Sequence, residues 1–287
     1  MNNTNLEQLK AENKQLKSEQ QHLFEQLNNI NKKLKDSEAF KSHFLSNISN
    51  EIINPFTSIL GLSESILELN DADIEQIHLM ADLIHSEAFD LDFQLRNIFA
   101  AAKIESGENS LELVDLKIHD FINEIFDSLR LKAEKNELQC ELTHLFKFDY
   151  FTIDADKLRI ILKNLIMNAI TFSTKKNKIA VHAELNDDGF LFKINNQGKI
   201  ISEEDGKLIF NRFVKLDDSI NSLNKGHGLG LSIIKDYLDL LNGHIQLESN
   251  EKEGTTFSIT LPPYEKKDET LFMEDEDLFS SSDTDIF

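Results

Sequence analysis

Two groups of residues in this sequence have the types and spacing to do chemistry. Gly226, Gly228 and Gly230 lie in the run GHGLGL, directly ahead of an apolar stretch with helical spacing. A glycine-rich turn feeding a helix leaves the helix's first amides free, and those amides together with the positive end of the helix dipole can hold phosphate. Taken alone, such a run is a weak signal. Asn47, Asn50 and Asn54 follow helical spacing and so form one polar stripe. Their amides are poor nucleophiles, because the nitrogen lone pair is delocalised, but each both donates and accepts hydrogen bonds. The single cysteine, Cys140, forms no internal disulfide, and one thiolate with scattered histidines builds no metal site.

Composition narrows the classes of partner. A formal net charge of -21 repels phosphate backbones and anionic lipid, and no basic patch offsets it, so nucleic acid is excluded as an expected direct partner. The N-terminus is polar from Met1 to Leu34, with no leader-like apolar core, and about 18 consecutive apolar residues occur nowhere. The expectation is therefore a cytoplasmic protein without a membrane span. With 287 residues and 40% hydrophobic content, the chain has room for two modest folded domains and extensions.

The elements that must position these residues follow from periodicity. Residues 1–38 carry a heptad on Leu9, Leu16, Leu23 and Ile30, with Leu6, Leu27 and Leu34 alongside and the polar Asn13 and Gln20 on the seam. This predicts a parallel dimeric coiled coil, the alternative being a lone solvated helix. Residues 39–107 show two apolar stripes. One comprises Leu45, Ile48, Ile52, Ile59, Leu62, Ile66 and Leu69, and the other runs from Ile74 through Ile77, Ala81, Ile84, Ala88, Leu91 and Leu95 to Ile98. Such a hairpin buries its seam best as a dimeric four-helix bundle. Over 108–264 the period alternates. Strands are predicted at 111–118, 138–145, 179–185, 190–194, 245–248 and 255–261, and helices at 118–133, 154–172 and 229–241. This makes an α/β sandwich and an α+β chain overall. Asn242 and Gly243 give the last helix an αL stop. Residues 265–287 are acidic and serine-rich, which predicts a disordered tail. Its pairs Leu271-Phe272, Leu278-Phe279 and Ile286-Phe287 suggest short docking motifs for a further protein, the alternative being a solubilising tail.

Residues 44–55, FLSNISNEIINP, closely resemble the phosphoacceptor box of two-component histidine kinases, F-L-x-N-x-S-H-E-I-R-T-P. Downstream, NLIMNAI at 164–170 is similar to the family's asparagine box, FNRF at 210–213 to its phenylalanine box, and GHGLGL at 226–231 to its second glycine box. Four boxes in the family's order cover roughly residues 39–264. The resemblance implies a dimerisation and phosphotransfer hairpin followed by a Bergerat-type ATP-binding domain, with a response regulator receiver domain as partner. It implies that Asn164, Asn168, Asn196, Gly198, Gly226, Gly228 and Gly230 line a site for ATP and that Asn168 ligates Mg2+ through its oxygen. Lys215 and Lys225 then flank an expected lid.

The departures from the pattern bear directly on activity. Asn50 stands where the family has its phosphoacceptor histidine, which leaves the carboxylate of Glu51 nothing to activate. His43 sits two helical turns away, about 10 Å, and is a poor substitute. The family's first glycine box, D-x-G-x-G, becomes NQGKI at 196–200: Asn196 replaces an aspartate that accepts from the adenine amino group, and Ile200 replaces a glycine. Charge-assisted hydrogen bonds contribute roughly 1.5 to 3 kcal/mol against about 1 for neutral ones, so ATP binding should be weakened or lost. Thr171 also replaces a phosphate-contacting base found in many members, while Phe172 keeps its aromatic neighbour. Glu51 and Asn54 retain the E-x-x-T/N arrangement that positions water against an aspartyl phosphate on a regulator. The leading expectation is a degenerate histidine kinase that acts by binding a regulator, or by pairing with itself or with a true kinase, with phosphatase action as its remaining chemistry. The alternatives are an active kinase with an unusual acceptor, and a structural adaptor.

Overall fold

A computed structural model describes residues 14–17, 19–28, 30–31, 52–70, 73–108, 110–215 and 228–264. Asn50, Glu51, Gly226, His43, Lys225 and the acidic tail lie outside the described residues. The chain divides into two compact units, Met1–Leu95 and Arg96–Phe287.

In the first unit, the described residues between 14 and 31 are helical, with Leu16, Leu23, Leu27 and Ile30 all more than half exposed. Helix α1 covers residues 52–68, and helix α2 covers Ile74–Ser106, continuing into the second unit. A short turn separates them, in which the Asp73 backbone N–H donates to the Asn70 carbonyl at 2.9 Å. The stripe positions Ile52, Ile59, Leu62, Ile66, Ile77, Ile84, Leu91 and Leu95 are half-buried, but the stripe positions Ile74, Ala81 and Ala88 are exposed, as are Ile53, Phe56, Leu60, Leu67, Leu79 and Leu83.

The second unit begins with the last turns of α2, where Asn97, Ile98, Ala100 and Ala101 are buried. Strand β1 (Leu113–Lys117) leads into α3 (Ile118–Lys135), whose buried Ile118, Phe121, Ile122, Ile125 and Leu129 recur at the three-four spacing of one helix face. Then come β2 (Gln139–Phe146), β3 (Tyr150–Asp154), α4 (Ala155–Phe172), β4 (Lys178–Asn186) and β5 (Gly189–Asn196). The chain closes with α5 (Glu203–Leu208), α6 (Gly230–Leu240), β6 (His244–Asn250) and β7 (Gly254–Leu261).

The main sheet has the order β2-β4-β5-β7-β6, with β2 and β4 parallel and the other pairs antiparallel, while β1 and β3 form a separate antiparallel ribbon. Alternation along the strands sends Ile179, Val181, Ala183, Leu185, Phe190, Phe192, Ile194, Phe257, Ile259 and Leu261 into the core. Helix α4 contacts both α3 and α6, which makes it the centre of the helical layer. The mixed α+β architecture is as expected. Asn242 takes the left-handed conformation (φ 56°), and the Gly243 N–H donates to the Leu238 carbonyl at 2.7 Å, ending α6 as read from the sequence. Strand β3 and helix α5 are additional elements that the pattern did not yield.

Candidate functional site

The site is assembled around α4. Asp154 ends β3 and caps α4: its carboxylate accepts from the Lys157 N–H at 3.0 Å, from the Glu112 N–H at 3.0 Å and from the Lys157 ammonium at 2.6 Å. Burial pushes this carboxyl up, but the Lys157 ammonium and the two backbone N–H groups outweigh it and hold the group below the usual carboxylate range. Lys157 also donates to the Ser110 carbonyl at 2.9 Å and lies 5.8 Å from the centre of the Tyr237 ring. The start of α4 is thus tied to β3, to the segment before β1 and to α6.

Three asparagines that the sequence places at the nucleotide site have different surroundings. Asn164, 2% exposed, is fully engaged. Its Nδ2 donates to Asn97 Oδ1 at 2.7 Å and to the Ile160 carbonyl at 2.9 Å, and its Oδ1 accepts from Asn97 Nδ2 at 3.1 Å. Asn97, in the last turns of α2, was not singled out in the sequence, because nothing local marks a partner 67 residues away. Asn168, one turn further along α4 and half-buried, makes no hydrogen bond through its side chain among the described residues. Asn196, at the end of β5 and 5% exposed, makes none either. Two of the three amides are therefore available to a ligand, and the most buried one is structural.

The glycines follow from close approach. A Cβ on Gly198 would sit 2.0 Å from the Phe172 carbonyl oxygen, because Ser173 and Gly198 bridge the end of α4 to the segment after β5. A Cβ on Gly230 would sit 2.5 Å from Asn164 Oδ1, so the first turn of α6 rests directly on the Asn97–Asn164 pair. Gly228 has φ 67°, and its carbonyl accepts from the N–H of Phe213, itself at φ 64°. A bulky residue in that region costs about 1 kcal/mol or more, which the contact with Gly228 helps to sustain. No side-chain hydrogen bond caps the N-terminus of α6 at Leu229. Ile200 does not adopt a left-handed backbone, so its side chain is accommodated without strain at 37% exposure.

Arg212 joins this assembly from the phenylalanine box. It pairs with Glu105 at the end of α2 and with Asp236 of α6, the latter at 3.1 Å. Burial works to lower the guanidinium's pKa, yet the two carboxylates overcome it and raise it. Thr171, Phe172 and Lys215 are exposed, as is Asn54 on α1. Among the described residues no group of three or more His, Cys, Asp or Glu side chains gathers to hold a metal, and no helix is long and apolar enough to cross a membrane.

Beside the antiparallel neighbours β5 and β7 lie a central helix carrying Asn164 and Asn168 and a glycine-led α6, and residues 153–265 match the model of histidine kinase-, DNA gyrase B- and HSP90-like ATPases. The circadian input-output histidine kinase CikA of Synechococcus elongatus is 29% identical over 79% of this chain and 30% of its own length. The sensor histidine kinase YcbM of Bacillus subtilis is 27% identical over 81% of this chain and 75% of its own. Full-length ShkA, solved in complex with AMPPNP, shares the fold with a TM-score of 0.56 and 20% identity, over 77% of this chain and 46% of that one. These likenesses support a member of the two-component histidine kinase family. It spans about a third or less of the length of the CikA proteins and of the hybrid kinase D of Dictyostelium discoideum that it also matches.

Proposed function

We propose that this chain is a cytoplasmic signalling protein that has lost autokinase activity and works by binding, capturing the receiver domain of a response regulator or pairing with itself or with a histidine kinase. The observation that carries this reading is residue 50, where an amide occupies the phosphoacceptor position of a box that otherwise departs from the pattern only at Ile53 and Asn54. An amide nitrogen cannot take the γ-phosphoryl group as an imidazole does.

ATP with Mg2+ fits the residues present. The amides of Asn196 and Asn168 make no hydrogen bond among the described residues, and no side chain caps the N-terminus of α6. Asn196 would meet the base, Asn168 would ligate Mg2+ through Oδ1, and the segment from Gly226 to Gly230 would face the phosphates. A bound ATP supplies a transferable phosphoryl group and a compact negative charge. With a neutral amide at residue 196 its binding is weaker than an aspartate would give, and it serves to shape the domain rather than to turn over.

Partner binding is supported by related folds and by the hairpin surface. ThkA, which shares the fold with a TM-score of 0.51 and 21% identity over 80% of this chain and 64% of that one, was solved in complex with the response regulator TrrA. The exposed apolar residues of α1 and α2 suit a second copy or a partner kinase completing a four-helix bundle. Asn54 is exposed on α1, and with Glu51 it would place water against a regulator's aspartyl phosphate, giving phosphatase action. The acidic tail would dock a further protein.

The test incubates the full chain with labelled ATP, Mg2+ and a panel of phosphorylated receiver domains, following label on the chain and decay of the acyl phosphate. No label should remain on the chain, and one receiver should bind it or lose phosphate faster. Acid-labile phosphate on this polypeptide would overturn the reading in favour of an active kinase with an unusual acceptor.

A further inference from the structure

The neighbourhood of Asn196 carries an inference about which base the site reads. Across the sheet Asn196 faces Ile179 on β4 and Thr255 on β7. The polar groups around it are already engaged. Thr255, 3% exposed, shares a hydroxyl hydrogen bond with Ser249 at 2.7 Å. Asn195 donates to Thr256 Oγ1 and to the Glu253 carbonyl, both at 2.8 Å, and Gln197 donates to the same carbonyl at 3.0 Å. In this run only the amide of Asn196 makes no hydrogen bond among the described residues.

Its atoms are nonetheless not sealed in, since the one buried side-chain atom without a partner among the described residues is Gln94 Oε1. A side chain more than nine-tenths buried therefore brings an unpaired amide to accessible space. That amide borders Gly198: its Nδ2 would lie 3.2 Å from a Cβ placed there. Unmet polarity at such depth costs stability unless a ligand supplies the missing donor and acceptor.

We propose that Asn196 makes this base subsite accept 6-oxopurine nucleotides, those of hypoxanthine and guanine, alongside 6-aminopurine nucleotides; this rests on the nucleotide-binding reading above. A carboxylate only accepts hydrogen bonds, so it pairs with the 6-amino group of adenine and repels a 6-oxygen. An amide presents one donor edge and one acceptor edge. In one orientation Oδ1 accepts from a 6-amino group while Nδ2 donates to ring N1. Turned over, Nδ2 donates to a 6-oxygen while Oδ1 accepts from the N1–H. No hydrogen bond to a described residue fixes which edge points outward, so both orientations are open to the side chain.

The experiment measures binding of ADP, IDP and GDP with Mg2+ to the full chain by calorimetry, for the natural sequence and for Asn196→Asp, with thermal melting to verify that the variant folds. IDP isolates the 6-oxygen, because hypoxanthine lacks the 2-amino group of guanine. The natural chain should bind IDP within about tenfold of ADP, and Asn196→Asp should weaken IDP and GDP by about ten- to a hundredfold relative to ADP. Discrimination of more than about a hundredfold against both 6-oxopurines in the natural chain overturns the inference alone. An unchanged ADP-to-IDP ratio in a folded Asn196→Asp does the same. Failure of all three nucleotides to bind overturns the nucleotide-binding reading together with this inference. If Asn196→Asp does not fold, the ratio in the natural chain decides.

Discussion

The helical first unit and the layered second unit are built from similarly apolar sequence, yet they bury it differently. In the second unit a sheet and a helical layer face each other, and Leu158, Ile161, Leu162, Leu165 and Ile179 are completely buried. In the first unit the best stripe residues reach only half-burial, and Leu67 and Leu79 are 83% and 62% exposed. A layered unit closes on itself, whereas a two-helix hairpin has one seam and leaves apolar surface for something else to cover. Stability of the second unit is therefore local to the chain.

Substitutions can break or sharpen this contrast, and the largest effect belongs to the core of α4. Leu162→Ala should destabilise the second unit by about 2 to 5 kcal/mol in denaturant unfolding, since the close-packed surroundings cannot fully collapse onto the cavity. Asn97→Leu should cost about 1 to 3 kcal/mol, because Asn164 would keep one hydrogen bond, to Ile160, and lose both of those to Asn97. A loss below about 0.5 kcal/mol there would mean that the pair is dispensable.

A smaller effect is expected from acid. Asp154 titrates below its ordinary value in the fold, so its contribution is present above the unfolded-state pKa and is lost as pH falls through the folded-state one. Stability against pH should accordingly drop below about pH 4, and Asp154→Asn should flatten that limb. At the other extreme Tyr237, pushed up to about 12 by burial and by the charges of Asp154, Asp156 and Asp236, contributes fully below its unfolded-state pKa and loses that contribution as pH rises toward its folded-state value. The smallest effect is Leu67→Ala, expected within about 0.5 kcal/mol for an isolated chain. A larger loss that grows with protein concentration would show that a second copy covers α1.

Much of this was legible in the residues because it is periodic. Alternation placed the inward faces of β4, β5 and β7, the three-four recurrence placed α3 and α4, and Asn242 marked the end of α6. Strand β3 escaped because it runs straight into α4, Asp154 serving as both its last residue and the helix cap. Helix α5 has six residues, a glycine inside and no buried face; its one signal was Ser202 accepting from the Asp205 N–H, three residues on.

The site was legible as a set of residue types, but not as a set of roles. Sequence spacing cannot distinguish Asn164, whose amide is consumed by Asn97, from Asn168 and Asn196, whose amides are open. That distinction is made by a long-range pairing. The Arg212 bridge to Glu105 and Asp236 was hidden for the same reason.

The contact between Gly230 and Asn164 ties the histories of two distant positions. A methyl group at 230 would need room that only a shorter side chain at 164 could release, and trimming 164 would strand the amide of Asn97. Substitutions at these two positions are therefore coupled, and this corner of the molecule resists single changes.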